Sequence, residues 1–536
     1  MRTGNCTEMR TSMLFNSYLF VFIFFPLCLL GYYGLLHGKK PQAAKIFLTF
    51  MSFWFYGYFN LSYLLIMVGS IAFNYIFHLL LSKRPDKRLM VLAVAGDLGI
   101  LFYFKYFDFF LSTVNTVFRS SFVLRGILLP LGISFFTFQQ ISFVVDTYRG
   151  EVRNCNLTDY ALFVSFFPQL IAGPIVNHGE MLPQFSKAGQ EHVRWERIAE
   201  GFGLFILGMA KKVLIADTFG TGVDYGYDNI VSLGRLDAVL VIIFYALQLY
   251  FDFSGYCDMA RGIGKMLGIE IPVNFDSPYK ATNIVEFWKR WHITLNRFFT
   301  KYVYIPLGGN RKGTGRMYLN LMIVFLLSGL WHGAGWNYLV WGAMHGILYV
   351  VTRFWQKKIG SRGMRKDRGA GRDFKFIEET INDNSVTNYT TGKLSWWKRV
   401  RIGTMTFMSQ ILLFAYVSIA WVYFRAQDIA QANSLLMVAF QGKMQKISLD
   451  LAECFRLDEF WYVIKILHLD NMAYSRYILM GVILAAGLYL AMAGPNAAQR
   501  MERAKYRAGS VFVLAVLMVW SILTFSGVST FLYFNF

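Results

Sequence analysis

Long apolar runs constrain the fold of this chain more than any other feature. Stretches of roughly 17–25 residues recur along its 536 residues, and that length crosses the hydrocarbon core of a bilayer as an α-helix. Only 16% of the residues are charged, against about a quarter in soluble proteins, and the mean hydropathy is +0.40. Because backbone polar groups need internal partners inside a bilayer, the sequence predicts an all-α polytopic membrane protein.

Basic loops give these apolar runs an orientation. Lysines and arginines lie in short segments between the runs, as in cytoplasmic loops, so the net charge of +21 does not indicate a nucleic-acid partner. Applied along the chain, the positive-inside rule predicts about eleven spans, give or take two. The apolar runs are residues 14–36, 44–59, 61–81, 89–111, 126–146, 201–217, 237–256, 317–334, 337–353, 404–424, 477–494 and 509–526.

Two segments depart from simple spans. Residues 160–175 are short and interrupted by Pro168, Gly173 and Pro174, which predicts a re-entrant or interfacial element. Residues 276–316 mix aromatic with basic side chains, a composition that suits helices lying at the cytoplasmic interface.

A single membrane-embedded domain is predicted over residues 13–536. Residues 1–12 differ in character from the rest and are predicted to be an extension, with Met13 as the true start. Residues 354–401 are polar and basic, which predicts a cytoplasmic insertion, and residues 527–536 are predicted to form an extracytoplasmic aromatic tail. The five cysteines are scattered without a CxxC pair, so neither a metal site nor a disulfide framework is expected.

His332 is the first candidate for chemistry, because it follows the apolar segment from Met317 to Leu330. An ionisable side chain at membrane depth is a functional candidate by default, and imidazole accepts protons near neutral pH. His292 is the second candidate. A core histidine bonded to a neighbouring helix is an equally weighted alternative for a lone case, and it suits His345 better. Five other histidines lie in or near predicted loops and receive no role: His37, His78, His178, His192 and His468.

Five sequence blocks occur in a fixed order along the chain. They are Phe166–Ile175, Tyr250–Tyr256 with Asp258–Ala260, Asn274–Tyr279, Tyr304–Arg311 and Leu330–Gly333. Together they resemble the membrane-bound O-acyltransferase family, in its bacterial alginate O-acetyltransferase type. The resemblance is strong over residues 13–350, and it is specific because five blocks are in register.

The resemblance implies a fold with a central funnel and a role for each matching residue. His332 matches the catalytic histidine of the family, and His292 matches its second histidine. The residues implied to line a substrate tunnel or to support the site are Trp331, Trp288, Arg290, Asp252 and Asp258. For the two aspartates, a structural polar network is the favoured alternative.

One departure from the family pattern affects an expected ion pair. The alginate type usually has Arg-Asp before the tyrosine that leads into Tyr304–Arg311, whereas this chain has Thr300, Lys301 and Tyr302. Without this acid, the ion pair that it would form is in doubt, but neither histidine is affected.

The implied reaction joins two compartments. A cytoplasmic thioester, acetyl-CoA or an acyl carrier protein, would offer a short acyl group, and a hydroxyl of an exported polysaccharide would receive it. His332 would act as general base, while His292 would orient the acceptor or stabilise the oxyanion. No bound cofactor or metal is expected. The basic residues within 280–316 suit a phosphate-bearing donor, although ordinary membrane anchoring explains each of them equally well.

The C-terminal tail carries a further prediction. Residues Phe531–Phe536 are predicted to lie outside the cytoplasm, where an aromatic belt is the ordinary explanation. The tail also resembles the C-terminal tyrosine motif of glycopolymer-acylating members of the family. That resemblance implies that Tyr533 carries the acyl group to an extracytoplasmic partner of the SGNH-hydrolase kind. The expected location is the bacterial inner, or plasma, membrane, with lipids around the bundle.

Two other functions stay open at this point. D-alanyl transfer to teichoic acid uses the same fold with a carrier-protein thioester, but the long chain and the block Tyr304–Arg311 favour the alginate type. A lipid or glycan transporter is the alternative from a different class. It would predict paired discontinuous helices in two related halves, and the sequence shows no such repeat.

Overall fold

The structure is a computed structural model that describes residues 13–152, 155–188, 193–364, 396–455, 462–463, 465–468, 474–504, 507–525 and 531–532. Residues 1–12 and Tyr533, for which the sequence makes specific predictions, lie outside the described residues. Of the polar insertion, residues 354–364 and 396–401 are helical extensions of the flanking helices, and the described residues stop at Met364 and resume at Trp396.

Within this part of the chain the secondary structure is helical, and no strand is present. The α-helices are α1 (Phe25–His37), α2 (Pro41–Gly57), α3 (Leu61–Lys83), α4 (Lys87–Leu101), α5 (Phe107–Phe118), α6 (Ile133–Tyr148), α7 (Leu157–Ser165), α8 (Phe167–Leu170), α9 (His178–Ala188), α10 (Trp195–Ala210), α11 (Asp217–Asp228), α12 (Arg235–Met266), α13 (Ile284–Arg290), α14 (Ile293–Phe299), α15 (Thr314–His332), α16 (Trp336–Met364), α17 (Trp396–Arg425), α18 (Ile429–Gln441), α19 (Leu449–Glu453), α20 (Ser475–Met492), α21 (Ala497–Ala504) and α22 (Ala508–Leu523). Segments of π-helix continue them at Phe20–Phe24, Phe102–Tyr106, Lys211–Ala216 and Thr300–Tyr304, and short 3₁₀ turns lie at Ile230–Ser232 and Pro278–Lys280.

Seven helical stretches among the described residues are long and apolar enough to cross a membrane. They are Phe20–His37, Leu61–Lys83, Lys87–Phe118, Arg235–Met266, Thr314–His332, Gly403–Arg425 and Ser475–Met492. The other predicted runs also contain helices, namely α2, α6, α10, α16 and α22, which are shorter or less apolar. The prediction of an all-α polytopic membrane protein is confirmed.

Helix α12 lies at the centre of the bundle. In its apolar window 78% of the residues are buried inside the protein, compared with 44% or less in the other six candidate spans. Helix α10 crosses it closely, since a Cβ on Gly255 would lie 2.7 Å from the carbonyl oxygen of Gly208. Small residues at such crossings let two backbones approach each other.

The length of α12 corrects the predicted end of this span near residue 256. The helix continues to Met266, so Asp252 and Asp258 lie inside it and not at its end. The physical reason is that Gly255 serves as a packing contact with α10 and does not break the helix.

Residues 160–175 form an element enclosed by protein. Helix α7 ends at Ser165, α8 begins at Phe167, and every residue from Tyr160 to Ile175 is buried. An irregular backbone is tolerated at membrane depth only where protein surrounds it, which fits the re-entrant alternative better than the interfacial one.

Several aromatic side chains of 276–316 face protein and not lipid. Phe287, Trp288 and Trp291 are buried in the interior of the bundle. Composition does not distinguish the two cases, because a mixed aromatic and basic segment has the same sequence signature whether its rings face lipid or protein. Helices α13 and α14 are short, and His292 lies between them.

Candidate active site

The end of helix α15 places His332. The helix ends at this residue, the backbone is extended at Gly333, and α16 begins at Trp336, so the predicted apolar runs 317–334 and 337–353 form a helical hairpin. Glycines permit the close pairing, since a Cβ on Gly342 would lie 2.5 Å from the carbonyl oxygen of Phe325. The side chain of His332 is 2% exposed.

A lysine from a distant helix holds the last turn of α15. The Nζ atom of Lys105 donates hydrogen bonds to the carbonyl oxygen of Trp331 and, at 3.2 Å, to Ser134 Oγ. The hydroxyl of Tyr106 donates to the carbonyl oxygen of Leu330 at 2.9 Å. The last carbonyls of a helix lack partners within it and favour a nearby cation, so these two residues fix the turn that carries His332.

Sequence reasoning missed Lys105, although a signal was present. The residue lies within the predicted span 89–111, and a lysine inside an apolar span is a functional candidate by default. Its partner lies 226 positions further along the chain, so no local pattern connects the two.

Aromatic rings enclose His332. The centroids of Trp331, Trp341 and Phe424 lie 4.9, 5.1 and 5.1 Å from the centroid of its imidazole. Such walls exclude water, and electrostatic interactions are stronger in a site from which water is excluded.

His292 is held in an uncommon backbone conformation. It has φ 46° and ψ 53°, in the left-handed region, and its side chain is fully buried. A non-glycine residue in this region costs about 1–3 kcal/mol, and such strain clusters at functional sites. The conformation caps α14 and turns the chain between α13 and α14.

Asn274 determines which ring nitrogen of His292 carries the proton. The amide oxygen of Asn274 accepts from the backbone N–H of Thr294 at 3.2 Å and from its hydroxyl at 3.0 Å, which identifies it as an acceptor. His292 Nδ1 lies 3.2 Å from the same oxygen and therefore donates to it. Nε2 is then the unprotonated nitrogen of the neutral ring. His292 lies outside the candidate spans, and burial lowers its pKa below the ordinary value, which keeps the ring neutral.

The structure brings the two predicted histidines together. Their ring centroids are 6.1 Å apart, and the ring of Trp331 lies 5.9 Å from His292. Residues forty positions apart thus form one buried pair that can contact a single small group. Their catalytic roles stay predictions.

His345 belongs to the same aromatic cluster. It is fully buried, and its Nδ1 accepts a hydrogen bond from Trp288 Nε1 at 3.3 Å. Its ring lies 4.9 Å from Trp341, which also contacts His332. The sequence favoured a hydrogen-bonded core histidine at this position, and the hydrogen bond from Trp288 agrees with that interpretation.

The charged residues predicted to support the site make ion pairs elsewhere. Arg290 pairs with Glu286 at 2.9 Å within α13. Asp258 pairs with Lys211 at 2.6 Å, and Asp252 pairs with Lys212 at the same distance. Among their described contacts, the two aspartates form the polar network that was the favoured alternative.

Lys301, which stands where the family pattern has an acid, forms a different ion pair. Lys301 Nζ lies 2.9 Å from Asp146 Oδ2 and 2.6 Å from Glu151. The hydroxyl of Tyr302 donates to the same oxygen of Asp146 at 2.6 Å. A lysine in place of the family's acid therefore still anchors the segment before Tyr304–Arg311, through acids on other elements.

Two histidines predicted to lie in or near loops lie within or at the start of helices. His78 is buried in α3, with Nδ1 3.0 Å from the Thr147 hydroxyl. His178 begins α9, and its Nδ1 lies 3.3 Å from Asp146. Burial lowers the pKa of His178, and the Asp146 carboxylate opposes that shift.

A small cleft, with a cavity volume of about 20 Å³, reaches Asn274, the residue that holds His292. Its lining includes Lys211, Arg261 and Asn274, the residue that holds the imidazole. The two cations come from α12 and the segment before α11, and not from residues 280–316. No group of three or more His, Cys, Asp or Glu side chains in the described part of the chain is placed to hold a metal ion.

The sequence of this chain is similar to those of several known proteins. The model of the membrane-bound O-acyltransferase family matches residues 100–371, which contain both histidines. A peptidoglycan O-acetyltransferase of Helicobacter pylori is 41% identical over 462 residues, 80% of this chain and 80% of that protein. A probable alginate O-acetylase of Pseudomonas aeruginosa is 41% identical over 351 residues, 64% of this chain and 66% of that protein. A teichoic acid D-alanyltransferase of Bacillus subtilis is 27% identical over 237 residues, 42% of this chain and 60% of that protein.

Replacing Lys105 with methionine tests whether this lysine holds the last turn of α15. Loss of a charged hydrogen-bond donor should lower the free energy of unfolding by about 1–3 kcal/mol. Hydrogen exchange in peptides that cover residues 328–334 should become faster. Lys45→Met removes a lysine paired with Asp159 and is the control, which should leave those peptides unchanged. Equal exchange in wild type and Lys105→Met would show that the lysine does not hold this turn.

Proposed function

The chain belongs to the membrane-bound O-acyltransferase family, and from that premise we propose that it moves an acetyl or other short acyl group from a cytoplasmic thioester to hydroxyls of an exported polysaccharide. It is an acyltransferase, as the sequence predicts. The observation that carries the proposal is the buried pair of His332 and His292, 6.1 Å apart between ring centroids.

His332 acts as the general base in this proposal. The acceptor oxygen forms a bond to the thioester carbonyl carbon while its proton passes to the imidazole of His332. The C–S bond then breaks, and the proton moves from the imidazolium to the departing sulfur. Proton transfer by a positioned side chain contributes typically 10²–10⁴-fold to such a rate.

His292 orients the acceptor hydroxyl. Because Nδ1 donates to Asn274, Nε2 carries the lone pair of the neutral ring, and in the proposal it accepts a hydrogen bond from the hydroxyl. A neutral ring with that tautomer cannot donate from Nε2 to an oxyanion. Of the two roles that the sequence left open, the tautomer favours orientation.

Trp331 supplies the donor for the oxyanion. Its indole is buried between the two histidines, and its Nε1–H has no hydrogen-bond partner among the described residues. A preorganised N–H donor in a dry site stabilises the negative charge that develops on the carbonyl oxygen.

The thioester donor is offered from the cytoplasm, and its phosphate groups contact the rim of the cleft beside Asn274. Lys211 and Arg261 line this cleft and suit the phosphate groups of acetyl-CoA or of an acyl carrier protein. Asp258 pairs with Lys211 and places its ammonium at the cleft wall.

The proposed acceptor is the glycan strand of peptidoglycan. The peptidoglycan O-acetyltransferase matches 80% of this chain, whereas the probable alginate O-acetylase matches 64%. In the proposal the enzyme lies in the bacterial inner membrane, between a cytoplasmic donor and an exported acceptor. Tyr533 lies outside the described residues; in the proposal its hydroxyl takes the acyl group as an ester, and an extracytoplasmic partner of the SGNH-hydrolase kind passes it to the polymer.

Replacing His332 with alanine should abolish O-acetylation of cell-surface glycans, because the base is lost. Mass analysis of glycans from cells with wild-type or variant protein measures this directly. His78→Gln changes a buried histidine that contacts Thr147, and it is the control that should retain acylation. Unchanged acylation in His332→Ala would reject the proposed mechanism, and loss of D-alanyl esters in place of acetyl esters would favour the teichoic acid alternative.

Replacing Trp331 with phenylalanine keeps the ring and removes the N–H donor. Loss of one oxyanion donor should lower kcat about 10²–10³-fold with little change in KM. Trp341→Phe removes the other indole N–H beside His332 and should have a smaller effect on kcat. Equal effects of the two substitutions would contradict the assignment of the donor to Trp331.

Replacing Tyr533 with phenylalanine tests the carrier. The variant keeps the aromatic ring but lacks the hydroxyl that would hold the acyl group, so polymer acylation should be lost while the protein stays folded. The measurement is glycan mass analysis together with thermal unfolding of the purified variant. Full polymer acylation in this variant would remove Tyr533 from the pathway.

A further inference from the structure

A buried ionic cluster lies in the middle of the bundle. Lys212 Nζ is 2.6 Å from Asp252 Oδ1 and 2.7 Å from Asp217 Oδ1, and the side chains of Lys212 and Asp252 are 1% and 2% exposed. Charges at such depth are expensive, and they persist where they perform a task.

The cluster contacts Phe531 and Leu532, the two described residues of the C-terminal tail. The second carboxylate oxygen of Asp252, Oδ2, accepts a hydrogen bond from the backbone N–H of Leu532 at 3.0 Å. The ammonium of Lys212 lies 4.7 Å from the ring centroid of Phe531, a cation–π contact. Residues 280 positions apart in sequence are thereby joined.

An aromatic pocket completes the binding of the tail. The ring of Phe531 is 1% exposed and meets the ring of Tyr256 edge to face, at 4.8 Å and 88°. Tyr256 also stacks on Phe15, at 4.9 Å. A ring buried on this scale distinguishes the tail from an aromatic belt, whose rings lie at the membrane surface.

The tail and the histidine pair share one turn of α12. Asp252 and Tyr256, which bind the tail, are four residues apart, and Phe253 between them packs against His292 at 4.9 Å. The helix therefore presents the tail on one face and supports the candidate active site on the adjacent face.

We propose that Asp252 and Lys212 form a site for the C-terminal tail, which fixes the backbone at Leu532 and so positions the next residue, Tyr533, for acyl transfer. The positioning step rests on the proposed carrier role of Tyr533, whereas the binding of the tail does not. Asp252 acts through the tail and is a positioning residue.

A second ion pair on α12 provides a control for the tail site. Asp258 pairs with Lys211 at 2.6 Å, but its described partners are side chains and include no backbone group of the tail. Asp252→Asn and Asp258→Asn are thus matched substitutions, of which only the first alters the tail site.

Asparagine cannot replace Asp252 without loss. Each carboxylate oxygen of Asp252 accepts from a different donor, Lys212 and the Leu532 N–H. A carboxamide has one acceptor oxygen and one donor group, so one of the two donors must face an NH₂.

Hydrogen exchange of the Leu532 amide in the purified full-length protein tests the binding site. Fragmentation of the C-terminal peptide assigns exchange to this amide. In wild type it should exchange at least roughly tenfold more slowly than an unprotected amide, and Asp252→Asn should remove that protection. Asp258→Asn should leave it unchanged. Unprotected exchange in wild type, which requires no variant, or equal protection in wild type and Asp252→Asn, overturns the proposal.

Glycan acylation in the same variants separates positioning from the carrier role. Asp252→Asn should lower the kcat of polymer acylation and leave the KM for the thioester unchanged. A released tail with wild-type kcat overturns the positioning step. Loss of Leu532 protection in Asp252→Asn combined with full activity of Tyr533→Phe supports the tail site and rejects the carrier instead.

Discussion

Burial of ionisable groups without water is the constraint on which this structure depends. Inside a bilayer each charge or imidazole needs a partner from the protein, and the bundle supplies those partners. Lys212 lies between two carboxylates, Lys105 meets the open carbonyls of α15, and His292 donates to Asn274. Each partner also fixes the position of a segment. The groups that replace water as partners of the buried charges therefore also hold the site residues in place.

These contacts between distant segments determine the positions of the two histidines more than the neighbouring sequence does. The last turn of α15 is fixed by a lysine from the π-helical segment after α4, and the turn before α14 is fixed by a strained backbone at His292. Two imidazoles from separate elements are thereby held 6.1 Å apart against one tryptophan. A site that is dry and preorganised strengthens every interaction with a reacting carbonyl, which is the physical basis of the proposed chemistry.

Much of this arrangement was predictable from sequence, because apolar length and local breaks determine helices. The helix that ends at His332 and the interrupted element at 160–175 follow from hydropathy, proline and glycine alone. Contacts between distant segments were not predictable. The packing of α10 on Gly255 has no local sign in the sequence, and neither Lys105 nor Leu532 carries a local sign of its partner.

The central claim is that an imidazole at position 332 removes the acceptor proton inside the membrane. Chemical rescue tests it most directly: purified His332→Gly protein in lipid nanodiscs, with an acetyl thioester and a short glycan acceptor, is assayed with and without added imidazole. Acetyl transfer should be lost in the variant and partly restored by imidazole, whereas wild-type protein should gain nothing. Transfer by His332→Gly at the wild-type rate without imidazole would contradict the central claim.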